Sequence, residues 1–225
     1  MTNAMSRIQR VFTSGAIARV AVSMLVLGAS AAGGCSLIAS RPGSTQWTID
    51  AAASVPSAEG TPTLGQLGVA RPRMAAPWNS DTLVYHHANG EARADIYNGW
   101  VMPIDQILQA QMVDVLAQAK AAQSVTLAGL YGSDQLNLVS SVRTFGAFFG
   151  DDRKGVTRVK LHVLLLQRTT EDPRIVMERT YEHESPLASD DAAGVIKGLS
   201  ADYGQCLRDL VRDLRAVPAD ALAKP

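Results

Sequence analysis

Of the two cysteines in the chain, Cys35 is the one whose neighbours suggest chemistry. It follows Ala32-Gly33-Gly34, and small residues there suit the narrow cleft of a signal peptidase. Its thiol can carry a diacylglycerol. Each buried methylene contributes about 0.8 kcal/mol, and two or more acyl chains make a stable anchor. Cys206 lies on an apolar helical stripe and reads as a buried, inert thiol. His86 and His87 are adjacent, so on a strand they point to opposite faces and chelate poorly, even with His162 or His183 to complete a set. Ser140, Ser141 and Ser185 offer hydroxyls, but no Gly-x-Ser-x-Gly elbow surrounds any of them. Asp151 and Asp152 stand beside Arg153 and Lys154, the composition of a solvated turn. A phosphate loop, a His-Glu-x-x-His pair and a Cys-x-x-Cys pair are all missing from the sequence. The expectation is no catalytic residue, no metal and no cofactor, with a covalent N-acyl and S-diacylglycerol lipid on Cys35.

The segment before Cys35 has the layout of a secretion signal. Residues 1–19 carry Arg7, Arg10 and Arg19 and no acid. Val20–Ala32 is uncharged over 13 residues, short of the roughly 20 that a spanning helix needs. It has the length of a signal h-region. With the small residues and Cys35 behind it, the segment resembles a bacterial lipobox, with Ala32 where leucine is usual. The alternative is an ordinary signal cut near Ala31, leaving Cys35 free or in a disulfide. Ser36 follows the cysteine; in lipoprotein sorting an aspartate there favours the inner membrane, so Ser36 suits the periplasmic face of the outer membrane.

The elements that would position side chains follow. Residues 36–45 are small and polar, contain Pro-Gly, and read as a tether reaching at most about 35 Å. Gln46–Asp50 could be a short strand, residues 51–63 a loop, and Leu64–Arg71 a strand stopped by Pro72. Leu83–His87 and Arg93–Tyr97 flank Asn89-Gly90, a hairpin signal. Trp78, Tyr85, Tyr97 and Trp100 gather around that hairpin. They serve either core packing or a partner surface, where such residues are enriched.

Pro103 opens a helix with Ile104, Ile107, Leu108, Met112, Val115, Leu116 and Ala119 on one stripe. Asn137–Phe149 and Val156–Gln167 form a long hairpin, followed by a strand at Arg174–Glu182. In its second strand Val159, Leu161, Val163 and Leu165 alternate with Arg158, Lys160 and His162, giving one dry and one wet face. A helix then starts at Ser189-Asp190-Asp191, with acids at its positive end, and Pro218 marks its end. Its stripe runs from Ala192 to Leu214, with Asp202 among the polar residues largely opposite.

The expected class is α+β: an antiparallel sheet with two amphipathic helices on one face, behind a lipoprotein signal peptide and tether. The boundaries are 1–34 for the signal, 35–45 for the lipidated tether, 46–217 for the domain and 218–225 for a tail. The 225 residues are 47% hydrophobic and 19% charged, so a packed core is within reach. Formal charge is zero, and without the leader 18 basic residues face 21 acids. That balance gives no field for nucleic acid. Aromatics at 5% argue against a stacking platform.

The run from Leu67 to Leu116 resembles the ABC-type transport auxiliary lipoprotein family, which includes the Pqi-type lipoprotein component of MCE-domain envelope transport systems. The likeness rests on a strand ending at Pro72-Arg73, Tyr85 in the next strand, and then Tyr97, Trp100 and Pro103 leading into a helix. Arg143-Thr144-Phe145 in a later strand and the terminal helix Ser189–Arg215 extend it over roughly residues 46–215. The resemblance implies a non-enzymatic subunit of an envelope lipid transporter. Its implied partners are an MCE-domain protein and an inner-membrane transporter component, whose periplasmic conduit the lipoprotein is implied to bind and hold at the outer membrane; the lipoprotein is itself a possible homo-oligomer. Two other readings stay open: an envelope-assembly lipoprotein serving another periplasmic machine, and a lipid-anchored hydrolase.

Overall fold

The structure is a computed structural model that describes residues 43–54, 61–62, 64–129, 135–150, 155–170 and 172–222. The leader, Cys35 and the Asp151–Lys154 turn lie outside the described residues.

Among the described residues nine strands form one sheet: β1 Thr45–Trp47, β2 Leu64–Val69, β3 Arg73–Met74, β4 Thr82–His87, β5 Ala92–Trp100, β6 Ala122–Leu127, β7 Leu136–Phe149, β8 Gly155–Gln167 and β9 Arg174–Pro186. Helix α1 spans Ile104–Gln118 and α2 spans Ala192–Arg215. Short 3-10 turns occur at Ala52–Ser54 and Ala219–Leu222.

The axis of the sheet is β7. One of its edges pairs antiparallel with β8 over its whole length, and β8 pairs antiparallel with β9. Its other edge is shared by three segments in turn, all parallel: β2 at Leu136–Leu138, β3 at Ser141–Val142 and β4 at Ala147–Phe149. β6 extends the sheet beside β2, while β5 and then β1 extend it beside β4.

The α+β class therefore holds, but the sheet is mixed rather than antiparallel. The reason is physical. Hairpin signals report local antiparallel pairs, whereas parallel pairs join segments separated by long crossovers and leave no turn signature. The strand β6 was not expected at all. Its residues AQSVTL carry too few apolar side chains, only Ala122 being buried, for alternation to reveal it. β9 runs four residues further than expected, to Pro186.

Both helices pack on one face. Val159, Leu161, Val163 and Leu165 of β8 are fully buried, as are Leu67 and Val69 of β2 and Leu138 and Val142 of β7. On α1 the buried residues are Ile104, Ile107, Leu108, Met112, Val115 and Leu116, the stripe expected from the sequence. Tyr203 ties the layers together. Its hydroxyl donates to the Leu108 carbonyl of α1 at 2.9 Å, and its ring meets Phe145 of β7 edge-on at 6.5 Å. The opposite face carries ion pairs along β8 and β9, Arg158 with Glu184 and Lys160 with Glu182, and a hydrogen bond between His162 and Glu178. Such exposed pairs contribute little stability each.

Local chemistry sets the helix ends. Asp191 caps α2, its carboxylate accepting from the Gly194 amide at 2.8 Å. α1 stops with Lys120 at φ 49°, where the Ala121 amide donates to the Leu116 carbonyl and the Lys120 amide to Ala117. That is a Schellman close with lysine in the place glycine usually holds.

One residue departs from its expected face. Asp202 is fully buried at the seam between α2 and the sheet. It accepts from Thr157 Oγ1 at 2.6 Å and from Ser185 Oγ at 2.5 Å. Burial pushes its carboxyl above the usual range, and the two hydroxyls pull the other way. Further along the same seam His183 meets Asp209 at 2.8 Å and the Tyr181 hydroxyl donates to Asp213 at 2.9 Å.

Candidate docking surface

The hairpin of β4 and β5 turns at Asn89-Gly90. Gly90 sits at φ +83°, which the turn requires, and the Asn89 side chain accepts from the Glu91 amide. Beyond the turn the pairing is regular only as far as Val84 opposite Ala94. The next pair is Thr82 with Gly99, so Leu83 alone faces residues 95–98. The surplus residues form a wide bulge.

Asp95 holds the bulge in shape. Its Oδ1 accepts from the Tyr97 amide at 2.8 Å and the Asn98 amide at 3.2 Å. Its Oδ2 accepts from the Tyr85 hydroxyl at 2.8 Å and the Asn98 side chain at 2.9 Å. Asn98 Oδ1 in turn accepts from Trp47 Nε1 at 2.8 Å, linking the bulge to β1. Partial burial raises the Asp95 carboxyl, but these four hydrogen bonds outweigh it and leave the group below its ordinary range. Burial and the bond to Asp95 both push the Tyr85 phenol up, so it remains a donor.

The bulge thrusts Ile96 and Tyr97 outward, 74% and 48% exposed. Val101 and Met102, in the turn before α1, are 60% and 45% exposed. Single exposed apolar residues need no explanation, but four large ones within seven positions of one strand end do.

The four aromatics singled out from sequence thus divide. Tyr97 is open to solvent. Tyr85 is half-buried and positions the bulge. Trp78 and Trp100 are each only 8% exposed. Trp78 rests on Gly146, donates from Nε1 to the Arg143 carbonyl at 3.1 Å, and packs against His86 and Phe148. Trp100 packs on Phe145. Sequence reasoning passed over Asp95, Ile96, Val101 and Met102. The signals were present: adjacent apolar residues at 96 and 97 break the strand alternation, and an aspartate two positions before Tyr97 can form an Asx turn.

The other candidates lie apart. His86 sits with Trp78 and Phe148, whereas His87 stacks on Phe149. Ser185 bonds to Asp202, the Ser140 hydroxyl has no partner, and Cys206 is fully buried, where burial pushes its thiol up. Among the described residues no cluster of three metal-ligating side chains occurs.

Asp95 also makes the bulge sensitive to acid. A carboxylate held below its unfolded value contributes stability above about pH 3.9 and loses it as the pH falls through the folded value. Asp95→Ala is therefore expected to lower the urea midpoint at pH 7 by the equivalent of about 1 kcal/mol. The gap to the native chain should begin to narrow as the buffer is taken below about pH 5 and go on narrowing as the pH falls through the folded value. A gap independent of pH would mean that the carboxylate does not hold the bulge.

Residues 47–211 match the model of a family described as the ABC-type transport auxiliary lipoprotein component. No curated protein matches the chain. Among solved structures, protein XCC0632 from Xanthomonas campestris superposes with a TM-score of 0.64 at 22% identity, covering 72% of this chain and 91% of that one. A second crystal structure, of an uncharacterized protein, gives 0.53 at 19% identity over 71% and 99%. The hypothetical protein CT253 from Chlamydia trachomatis gives 0.48 at 7% identity over 68% and 97%. The first two likenesses concern the fold, while the family match spans every strand from β2 to β9 and both helices nearly complete. The chain belongs to the ABC-type transport auxiliary lipoprotein component family.

Proposed function

We propose that this protein is the lipid-anchored periplasmic subunit of an MCE-type envelope lipid transport system, holding the transporter's conduit near the outer membrane and acting by docking rather than by catalysis. The supporting observation is that the family match begins at Trp47, inside the first strand, so the matched region takes in the folded domain. Only a short tether lies between that domain and Cys35. On this reading Cys35 carries the acyl chains and Ser36 directs the chain to the outer membrane. Anchoring turns partner binding into a local event, so individually weak contacts suffice. Of the two exposed surfaces, the sheet face opposite the helices, with its Arg158–Glu184 and Lys160–Glu182 pairs, is the one this reading offers to the conduit, and the apolar bulge of β5 is left for a separate contact.

Two measurements test this. Cys35→Ser is expected to move the chain from the membrane pellet to the soluble periplasmic fraction after osmotic shock. Crosslinking in intact cells with the native chain should capture an MCE-domain protein or its permease. Capture of neither, from a chain that is membrane-bound, would overturn the transport reading.

A further inference from the structure

We propose that the bulge of β5, with Ile96 and Tyr97 at its tip and Val101 and Met102 beside it, seats in the surface of the bilayer to which the chain is anchored. The proposal rests on the lipid anchor at Cys35 and adds a second, non-covalent membrane contact to it.

The argument begins with where the chain enters the fold. β1 runs parallel to the end of β5, with Thr45 opposite Asn98 and Trp47 opposite Trp100. In a parallel pair both strands advance in the same direction. Ser44, the residue before Thr45 in the domain, therefore lies on the side of Tyr97 and Ile96, and Trp47 ties that junction to the bulge through Asn98. Thr45 lies ten positions beyond Cys35, with nine residues between them. Fully extended they reach at most about 35 Å, and as a flexible coil they average under about 20 Å. An acylated Cys35 therefore limits how far Thr45, and the bulge hydrogen-bonded beside it, can stand from the headgroups.

The side chains suit that place. Tyrosine has an apolar ring and a polar tip, the combination enriched at membrane interfaces. Ile96, Val101 and Met102 provide apolar surface without charge. The nearest charge, the Asp95 carboxylate, is taken up by four hydrogen bonds within the bulge, and the next two, Glu91 and Arg93, neutralise each other in an ion pair. Among the described residues, no strand pairs with the outer edge of β5 before Asn98. The bulge itself blocks a regular strand from adding there. A lipid surface makes no demand for strand register, and the anchor supplies the high local concentration that a contact of four side chains needs.

The test uses the full, lipidated chain in vesicles of phosphatidylethanolamine and phosphatidylglycerol. Tyr97→Cys and, as a control, Ile175→Cys each receive an environment-sensitive dye. Ile175 is also exposed, at 56%, but belongs to β9 at the far edge of the sheet. Cys206 is fully buried and does not compete for the label. With nitroxide lipids in the vesicles, the dye at position 97 should lose roughly half its emission or more, as expected for a group buried about 5–10 Å into the headgroup and acyl boundary. The dye at 175 should be unaffected. A chain that floats with the vesicles while both dyes stay bright overturns this proposal and leaves the anchor intact. A chain that does not float overturns both. A blue shift at 97 without nitroxide quenching, growing with protein density, assigns the patch to a second copy and also overturns the proposal.

Discussion

Tyr203→Ala is expected to lower the unfolding free energy by about 3–5 kcal/mol. The side chain is fully buried and joins three elements: it belongs to α2, it meets Phe145 of β7, and it donates to the Leu108 carbonyl of α1. Removing it leaves a cavity where the helices meet the sheet, and it strips an edge contact from Phe145. Domains of this kind have about 5–15 kcal/mol in hand, so the variant should be close to unfolding at body temperature. Tyr203→Phe separates ring from hydroxyl. It keeps the packing and loses one buried hydrogen bond, for an expected cost of about 1 kcal/mol. Urea unfolding followed by far-UV circular dichroism measures both. Equal losses for the two variants would mean that the hydroxyl, not the ring, joins the layers.

The second large effect is expected at Gly146. A Cβ built there would lie 2.2 Å from the Trp78 ring, and that ring is held by its bond to the Arg143 carbonyl and by Phe148 and His86. It has nowhere to retreat within the fold. Gly146→Leu should therefore expel the indole, at a cost of about 3 kcal/mol. Tryptophan emission should shift to the red and become open to acrylamide. The cause can be isolated by a double-mutant cycle, because in a Trp78→Ala background the leucine no longer meets the indole and its cost should fall well below the single-variant value. An undiminished cost would place the clash elsewhere.

These two positions also mark the limits of what could be read from the sequence. Tyr203 was legible because helices repeat every 3.6 residues, and the stripe from Ala192 to Leu214 predicted its burial. Trp78 was visible only as an aromatic near a hairpin. Its resting place depends on Gly146, nearly seventy residues away, and no local period reports such a contact. The same holds for Asp202. Its spacing put it among polar residues, but Thr157 and Ser185 arrive from two strands to satisfy it, and so it can be buried. The hairpins were legible from their turns, and the alternation in β8 predicted its dry face correctly. The parallel partners of β7 were hidden because nothing in β2, β3 or β4 encodes its neighbour. For the docking surface, Tyr97 was singled out, but the reason it protrudes is Asp95, whose role appears only once the pairing skips from Ala94 to Gly99.

The position of β7 has a consequence for how the molecule is made. β2, β3 and β4 each lean on a different stretch of one late strand, and β1, β5 and β6 lean on them in turn. Synthesis delivers the amino-terminal half first, yet that half has no template until residue 149 has emerged. The antiparallel meander of β7, β8 and β9 with α2 is built from neighbours in sequence and can close early. The order of assembly thus runs against the order of emergence, and over a hundred residues of nascent chain must be kept from aggregating in the interval. Slow, late closure of the amino-terminal half is the expected consequence of this topology.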